Sequence, residues 1–409
     1  MPFLLRPRRR PLVTNAFRLI GFLIVATTLL DLFRVRHAQS SYQLPEQDDD
    51  AHRGTRLFIA ATHWNNEAVL RSRWNDAILE IAQYFGPKNV YVSIHESGSW
   101  DDTKGALREL EATLNEFGVG NTIVLDTTTH KDEVEKTPSA DDTGWIDTSR
   151  GKKELRRIPY LAKIRNKALE PLVKMAAAHP PQKFDNILFL NDVYFSVPQV
   201  LDLLSTNNGH YAAVCALDFS RPPSYYDTFA LRDSAGEEPM MPTWPYFRSS
   251  TSRSAMKLNT DVPVSSCWNG MVIMPVEPFY DKLNPLRFRG VNDKLAAYHL
   301  EASECCLIHS DNPYTPSRGV WLNPRVRVGY NEAAYKMVKD ANWLGSLDIV
   351  VGLWRNRILR WSTTSWFTKG TIRQRLKEYT KRNPNNPETG TFCLINEMQV
   401  LVENGWAHV

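Results

Sequence analysis

The feature that most constrains this chain of 409 residues is an alternation of apolar runs with helix-period segments between residues 57 and 190. Leu57–Ala61, Asn89–His95, Asn121–Leu125 and Ile187–Leu190 are short apolar or β-branched runs. Strands buried on both faces read this way. Between them, Glu67–Phe85, Thr103–Phe117 and Ile158–Ala178 carry apolar residues at helical spacing, such as Val69, Ile78, Ile81 and Ala82 in the first. Pro159 sits in the first turn of the last, where it is tolerated. The alternation predicts an α/β fold with a mostly parallel central sheet. Such sheets bind ligands beyond their strand carboxyl ends, so each strand end is a place to look for chemistry. The fourth run ends in Asn191-Asp192. A carboxylate beside an amide there suits a hard divalent cation carrying a diphosphate, although strand-ending Asp residues also cap turns.

Beyond Asp192 the pattern loosens. Tyr211–Leu217, Met271–Met274 and a short Val326–Val328 read as strands, and Asn292–Cys306 reads as one helix. Phe219–Ser266 is an aromatic and polar stretch, long enough that a functional loop is expected. Near the C-terminus Trp343, Trp354, Trp361 and Trp366 recur among Arg355, Arg357 and Arg360. Between a membrane-interface helix and a segment packed on the body with its Arg residues outward, we prefer the second.

The N-terminus differs from the body. Leu19–Leu30 is uninterrupted by charge, and 16–33 approaches the length of one bilayer crossing. Arg6, Arg8, Arg9, Arg10 and Arg18 lie in or before it, which places the N-terminus in the cytosol and the body across the membrane. No small-residue cleavage site stands out, so an uncleaved anchor is expected. The expected organisation is a cytosolic tail (1–15), a transmembrane anchor (16–33), a polar stem (34–54) containing Asp48-Asp49-Asp50, a main domain (55–330) and a C-terminal extension packed on it (331–409). The chain has 49 basic and 45 acidic residues. Without the five N-terminal Arg the two nearly balance, so the body has no basic footprint for nucleic acid. Five Cys leave at least one thiol unpaired, with the pairing not readable, and none has zinc-finger spacing.

Several segments together resemble the cryptococcal mannosyltransferase family, which includes the fungal capsule-associated proteins. They are His63-Trp64-Asn65-Asn66-Glu67, Val90 to Asp101, Arg157 to Asn166, Leu190-Asn191-Asp192-Val193, Cys267-Trp268-Asn269-Gly270 and Ser303 to Ile308. The resemblance spans about residues 55–330. It implies a type II Golgi membrane protein with its catalytic domain lumenal and a GT-A-like, Rossmann-type nucleotide-sugar-binding fold. The implied reaction is α-1,3-mannosyl transfer from GDP-mannose to a glycan acceptor, retaining and Mn2+-dependent. A non-catalytic member supporting polysaccharide assembly or export is the alternative.

On this reading Asp192 is the metal ligand, with Asn191 beside it. The motif offers one carboxylate rather than an Asp-x-Asp pair. His309 would complete the metal shell as a neutral imidazole. His63 and Asn65 after the first strand, and Ser93, Glu96 and Ser97 along and after the second, are expected to hold the nucleoside. Arg165 would reach the diphosphate or Asp192. Trp268, Asn269 and Gly270 would shape the sugar pocket, with Trp268 stacking on a sugar face and Gly270 allowing close backbone approach. Glu304, late in its expected helix, is the catalytic carboxylate, and Glu301 should share its helical face. Asp218, Asp227, Arg232 and Asp233 border the long middle stretch and are candidates for acceptor or sugar-hydroxyl contacts, although each is individually better read as a turn or surface residue.

Overall fold

The computed structural model describes residues 10–40, 52–139 and 141–409. Arg6, Arg8 and Arg9 of the expected tail, and the Asp48–Asp50 run of the expected stem, lie outside the described residues.

One ten-stranded sheet organises the body. Its strands are β1 (Leu57–His63), β2 (Val90–Ser97), β3 (Gly120–Asp126), β4 (Asn186–Leu190), β5 (Ala213–Arg221), β6 (Ser224–Tyr225), β7 (Arg232–Asp233), β8 (Val262–Ser266), β9 (Met271–Pro275) and β10 (Val320–Gly329). The order is β3-β2-β1-β4-β9-β5-β10-β8-β7, with β6 on β5. The first four strands are parallel. β9 is antiparallel to both β4 and β5, β10 is parallel to β5, and β8 is antiparallel to β10 and β7. The chain winds outward from β1 through β2 to β3, then crosses back to place β4 on the other side of β1. This reversal opens a crevice over the carboxyl ends of β1 and β4. Ala61 pairs with Leu190, so the residues following each strand emerge side by side.

β1, β2 and β4 are buried on both faces, which is why they read as continuous apolar runs, while β3 at the sheet edge is only partly covered. Phe58, Ala60, Ile187 and Phe189 enter one core with Leu169 and Leu172 of the helix Arg157–Ala177. Leu57, Ile59, Ala61, Leu188 and Leu190 enter the other, under the helices Asn75–Phe85 and Thr103–Glu116. Successive residues alternate between the two, as the pleat requires.

Three elements differ from expectation. The Glu67–Phe85 helix contains a π-turn at Leu70–Trp74. It turns Trp74 inward, where its Nε1 donates to the Asn191 carbonyl (3.0 Å). β10 is longer than Val326–Val328 because Asn323-Pro324 breaks its hydropathy. The pairing with β5 shifts register between Leu322 and Arg327. The expected Asn292–Cys306 helix is two pieces, Asp293–Ala296 and Glu304–Asp311, capped by Asn292 and Ser303. Glu301 lies between them in a bridge to Ile395, so it does not share a helical face with Glu304.

The C-terminal residues return to the body as two helices, Ser346–Ser362 and Trp366–Arg382, and a hairpin, Gln399–Val402 with Gly405–His408. Disulfides join Cys215 to Cys267 and Cys306 to Cys393, leaving Cys305 as a buried thiol. The N-terminal helix runs Arg10–Ser40. It is, among the described residues, the one helix long and apolar enough to cross a membrane. Its residues 34–40 are helical, and Val35 and Gln39 are buried against the body.

Arg156 is fully buried and donates to both Glu301 oxygens (2.8 and 3.0 Å) and to Asp293 (2.6 Å). Removing one side of a buried pair leaves the other charge uncompensated. Arg156→Met should therefore destabilise the chain by about 3–5 kcal/mol, and Arg156→Met with Glu301→Met should recover most of it. Urea midpoints of the purified chain in detergent check both.

Candidate active site

A side-chain hydrogen bond bridges the crevice between the ends of β1 and β4. His63 ends β1, buried edge-on against Trp74 (4.7 Å between ring centroids). Burial lowers its pKa to about 4, so the ring is neutral. Asn66 Oδ1 accepts from the Trp64 backbone N–H (3.0 Å) and lies 3.1 Å from His63 Nδ1. With its oxygen so committed, Asn66 directs Nδ2 across the crevice and donates to Asp192 Oδ2 (2.9 Å). Asn65 makes the turn possible with φ 54°, a region Asn tolerates, and its Oδ1 accepts from the Trp100 N–H (2.8 Å).

Asp192 is half-buried. Burial pushes its carboxyl up to about 6 against the opposing effect of the Asn66 bond. Among the described residues it forms no ion pair. Asn191 turns the other way and is fully engaged. Its Oδ1 accepts from Trp268 Nε1 (3.1 Å) and its Nδ2 donates to the Tyr330 hydroxyl (3.1 Å). Tyr330 in turn donates to Asp218 Oδ2 (3.0 Å). Asp218 Oδ1 accepts from Asn269 Nδ2 and from the Asp227 N–H, both at 3.1 Å. Asp218 is completely buried, and burial, then Asp227, raises it to about 7. Asp227 is raised as well, chiefly by burial. Gly270 is required where these groups meet: its φ is +82°, and a Cβ would lie 2.8 Å from Val328 and 3.1 Å from Asp218 Cβ.

Glu304 opens its helix rather than ending one, and pairs with Arg165 Nε (3.0 Å). The Arg165 guanidinium lies 4.5 Å over the Trp268 ring. Two residues chosen separately from the sequence are thus one ion pair, packed on a third. This places Arg165 on Glu304 rather than on Asp192. It also covers the Trp268 face expected to meet a sugar; Trp268 is 2% exposed and packs against Phe189 and Phe288.

Other expected residues are engaged elsewhere. Ser93 points into the core and donates to the Ala168 carbonyl (2.7 Å). Glu96 is buried, paired with Lys104 (3.2 Å), and accepts from the Ser99 N–H. Ser97 donates to the His63 carbonyl (3.4 Å). His309 does not join Asp192: its Nε2 is 2.5 Å from the Cys267 carbonyl. Its ligand atoms lie with Cys215 and Cys267 within 4.8 Å of one another, but both sulfurs are spent in the disulfide. Asn66 and Tyr330 are not among the residues expected from the sequence, and Asp218, better read there as a turn or surface residue, is buried. Asp218 follows an apolar run as Asp192 does, and that shared signal was the available clue.

None of Asp192, Asp218 and Asp227 forms an ion pair among the described residues. Asp218 is sealed in with both oxygens bonded, so the carboxylate left for a hard cation such as Mg2+ or Mn2+, which would take further ligands from a diphosphate and water, is Asp192.

A family model described as Cryptococcal mannosyltransferase 1 matches residues 56–311, more than half of the chain. The chain belongs to this family. The cryptococcal mannosyltransferase match contains every residue of the site except Tyr330. No curated protein sequence matches the chain. Among solved structures it is similar to the mannosyltransferase PcManGT from Pyrobaculum calidifontis in complex with GDP-Man and Mn2+, at 12% identity and TM-score 0.37, covering 91% of this chain and 93% of that one. It is also similar to S. aureus TarS 1-349 in complex with UDP, at 12% identity and TM-score 0.36, covering 80% and 81%. GalNAc-T7 with UDP, GalNAc and Mn2+ matches at 9% identity and TM-score 0.37, covering 84% and 64%. As a member of this mannosyltransferase family, the chain is a glycosyltransferase by family.

The raised Asp192 carboxyl has a signed consequence. Folding lifts it from 3.8 to about 6, so across that window the native chain holds a proton the unfolded chain has lost. Its contribution to stability is greatest at the acid end and declines as pH rises through 6. Asp192→Asn should therefore melt higher relative to the parent at pH 8 than at pH 4.5. Paired thermal denaturation curves at the two pH values check this.

Proposed function

We propose that this chain transfers mannose from GDP-mannose to a glycan hydroxyl, forming an α-1,3 linkage with retention. The body is held at a Golgi membrane by the N-terminal helix, as a lumenal type II protein. The observation that carries the reading is Asp192: a half-buried carboxylate at the sheet's switch point, fixed by Asn66 and facing no protein cation.

Asp192 is the residue that would hold Mn2+, which when bound neutralises the diphosphate as it leaves. The remaining steps belong to the chain. Asn66 holds Asp192 in one orientation, and neutral His63 holds Asn66. The β1 and β2 ends, from His63 to Asn66 and from Glu96 to Trp100, frame the nucleoside side of the crevice. Asp227 faces the sugar side and binds its hydroxyls, backed by the buried Asp218, which Asn269 and Tyr330 keep in place. Glu304 is assigned to the positive charge that develops at the anomeric carbon, as carboxylates serve in glycoside chemistry. Support for its placement is that it is near enough to raise the Asp227 carboxyl. Arg165 orients it.

Purified chain should release GDP from GDP-mannose with Mn2+ and a mannosyl acceptor. Asp192→Asn should lower turnover at least about 100-fold, and Asn66→Ala about 10–100-fold by loosening the ligand. Mn2+ with GDP should raise the melting temperature of the parent and not of Asp192→Asn. A chain that binds no GDP at millimolar concentration would instead be a non-catalytic member that supports polysaccharide assembly.

A further inference from the structure

The helix Ser346–Ser362 is apolar on two opposite sides. Ile349, Gly352, Leu353 and Asn356 are buried against the body. Leu347, Val351, Trp354, Ile358 and Trp361 follow one another at steps of four, three, four and three residues, so they form one stripe on the reverse side. Leu347, Val351, Ile358 and Trp361 are exposed, Trp361 by 72%. At the turn into the next helix, Trp366 and Phe367 are exposed as well, with rings 5.1 Å apart. This differs from the expectation of tryptophans packed inward and arginines outward. Trp343 packs against Phe219, but Trp361 and Trp366 face out, while Arg357 turns in to pair with Asp31.

The N-terminal helix lies beside this stripe. Trp354 Nε1 donates to Thr28 Oγ1 (2.9 Å), and Arg36 donates to Ser346 Oγ (3.0 Å). Residue numbers rise along one helix as they fall along the other, so the two run antiparallel. Asp31 is neutralised at their crossing by Arg357 and by Lys257 (3.5 Å). From Trp354 the C-terminal helix continues seven residues to Trp361, roughly 10 Å at 1.5 Å per residue. That carries Trp361 alongside the exposed apolar stretch Phe22–Val25. A bilayer that receives that stretch meets Trp361 at nearly the same depth. Residues 346–382 also contain nine basic and two acidic residues in a chain that is otherwise close to balance, which suits a surface of lipid phosphates. Exposed Trp flanked by Arg and Lys is the composition of a membrane interface.

We propose that the stripe Leu347–Trp361 and the turn through Phe367 lie in the phospholipid interface as a second membrane contact, which sets the body at a fixed height and tilt beside its anchor. The inference rests on the membrane-anchor reading above and adds a site to it. On this arrangement one face of the N-terminal helix beyond Thr28, with Asp31, Val35 and Gln39, is taken up by the body, while Leu29, Leu30 and Phe33 stay exposed to the bilayer.

The test uses the full-length chain in phosphatidylcholine vesicles containing a minority of phosphatidylserine. An environment-sensitive fluorophore is attached through Ile358→Cys, Trp361→Cys or Phe367→Cys. Phe22→Cys marks the anchor, and Ala112→Cys, on the helix covering the opposite sheet face, marks water. Labels at 358, 361 and 367 should be quenched at least about twofold by headgroup-proximal spin-labelled lipid and protected from aqueous iodide, as interfacial side chains are. If they are as open to iodide as the label at 112 while the label at 22 is lipid-quenched, this inference falls and the anchor stands. If the label at 22 is also open to iodide, both fall. Protection from iodide without lipid quenching would mean that a second copy of the chain covers the stripe, and would overturn the proposal too.

Discussion

The Asn66–Asp192 hydrogen bond depends on, and reports, the reversal of strand order at β1. Two polar loops that are more than a hundred residues apart in sequence are brought together because β4 is laid against the side of β1 that β2 leaves free. Asn66 is not interchangeable with a cation at that position. An Arg or Lys would compensate Asp192 and remove the surplus charge that gives the site its use. A neutral amide fixes the carboxylate geometrically and leaves its charge unspent. The same economy recurs one layer deeper, where Asn269 and Tyr330 hold Asp218 without neutralising it. The site is thus built from carboxylates and amides on rigid strand ends. Two basic residues beside it, Arg165 and Lys104, are committed to Glu304 and Glu96.

Much of the parallel half was readable because both faces of β1, β2 and β4 are covered. Burial on both sides leaves long apolar runs whose limits fall within a few residues of β1 to β4, and the intervening helices show their period plainly. The second half was harder for a physical reason. β10 carries Asn323-Pro324 through a register shift, and β6 and β7 are two residues each, too short to impose a period. The single helix expected over Asn292–Cys306 is broken at His299, whose φ of 56° a helix interior does not accommodate. Glu301 then bridges to Ile395 and Glu304 starts a new helix.

Among the candidate residues, the strand-end position of Asn191 and Asp192 was legible in the sequence, whereas Glu304, expected late in a helix, opens one. The sequence misjudged what several others do. His309, Ser93 and the face of Trp268 have the right chemistry and lie near the right elements, yet each is occupied by the fold itself. Asp218 was discounted as a turn residue because it borders a long irregular stretch, although it ends an apolar run as Asp192 does. Side-chain direction decides these cases, and direction depends on pairing partners that the sequence names only after folding.

Cys306 stands two residues after Glu304, and its bridge to Cys393 fastens the start of that helix to the returning tail beside the Glu301–Ile395 pairing. The second bridge fixes β5 to the segment that carries Trp268 and Asn269. Both covalent ties therefore secure the acidic wall, and neither touches the β1–β4 half. Reduction of the two bridges would thus loosen the wall that carries Glu304, Trp268 and Asn269 while leaving the pairing of β1 with β4, and the Asn66–Asp192 bond across it, without any covalent tie to lose.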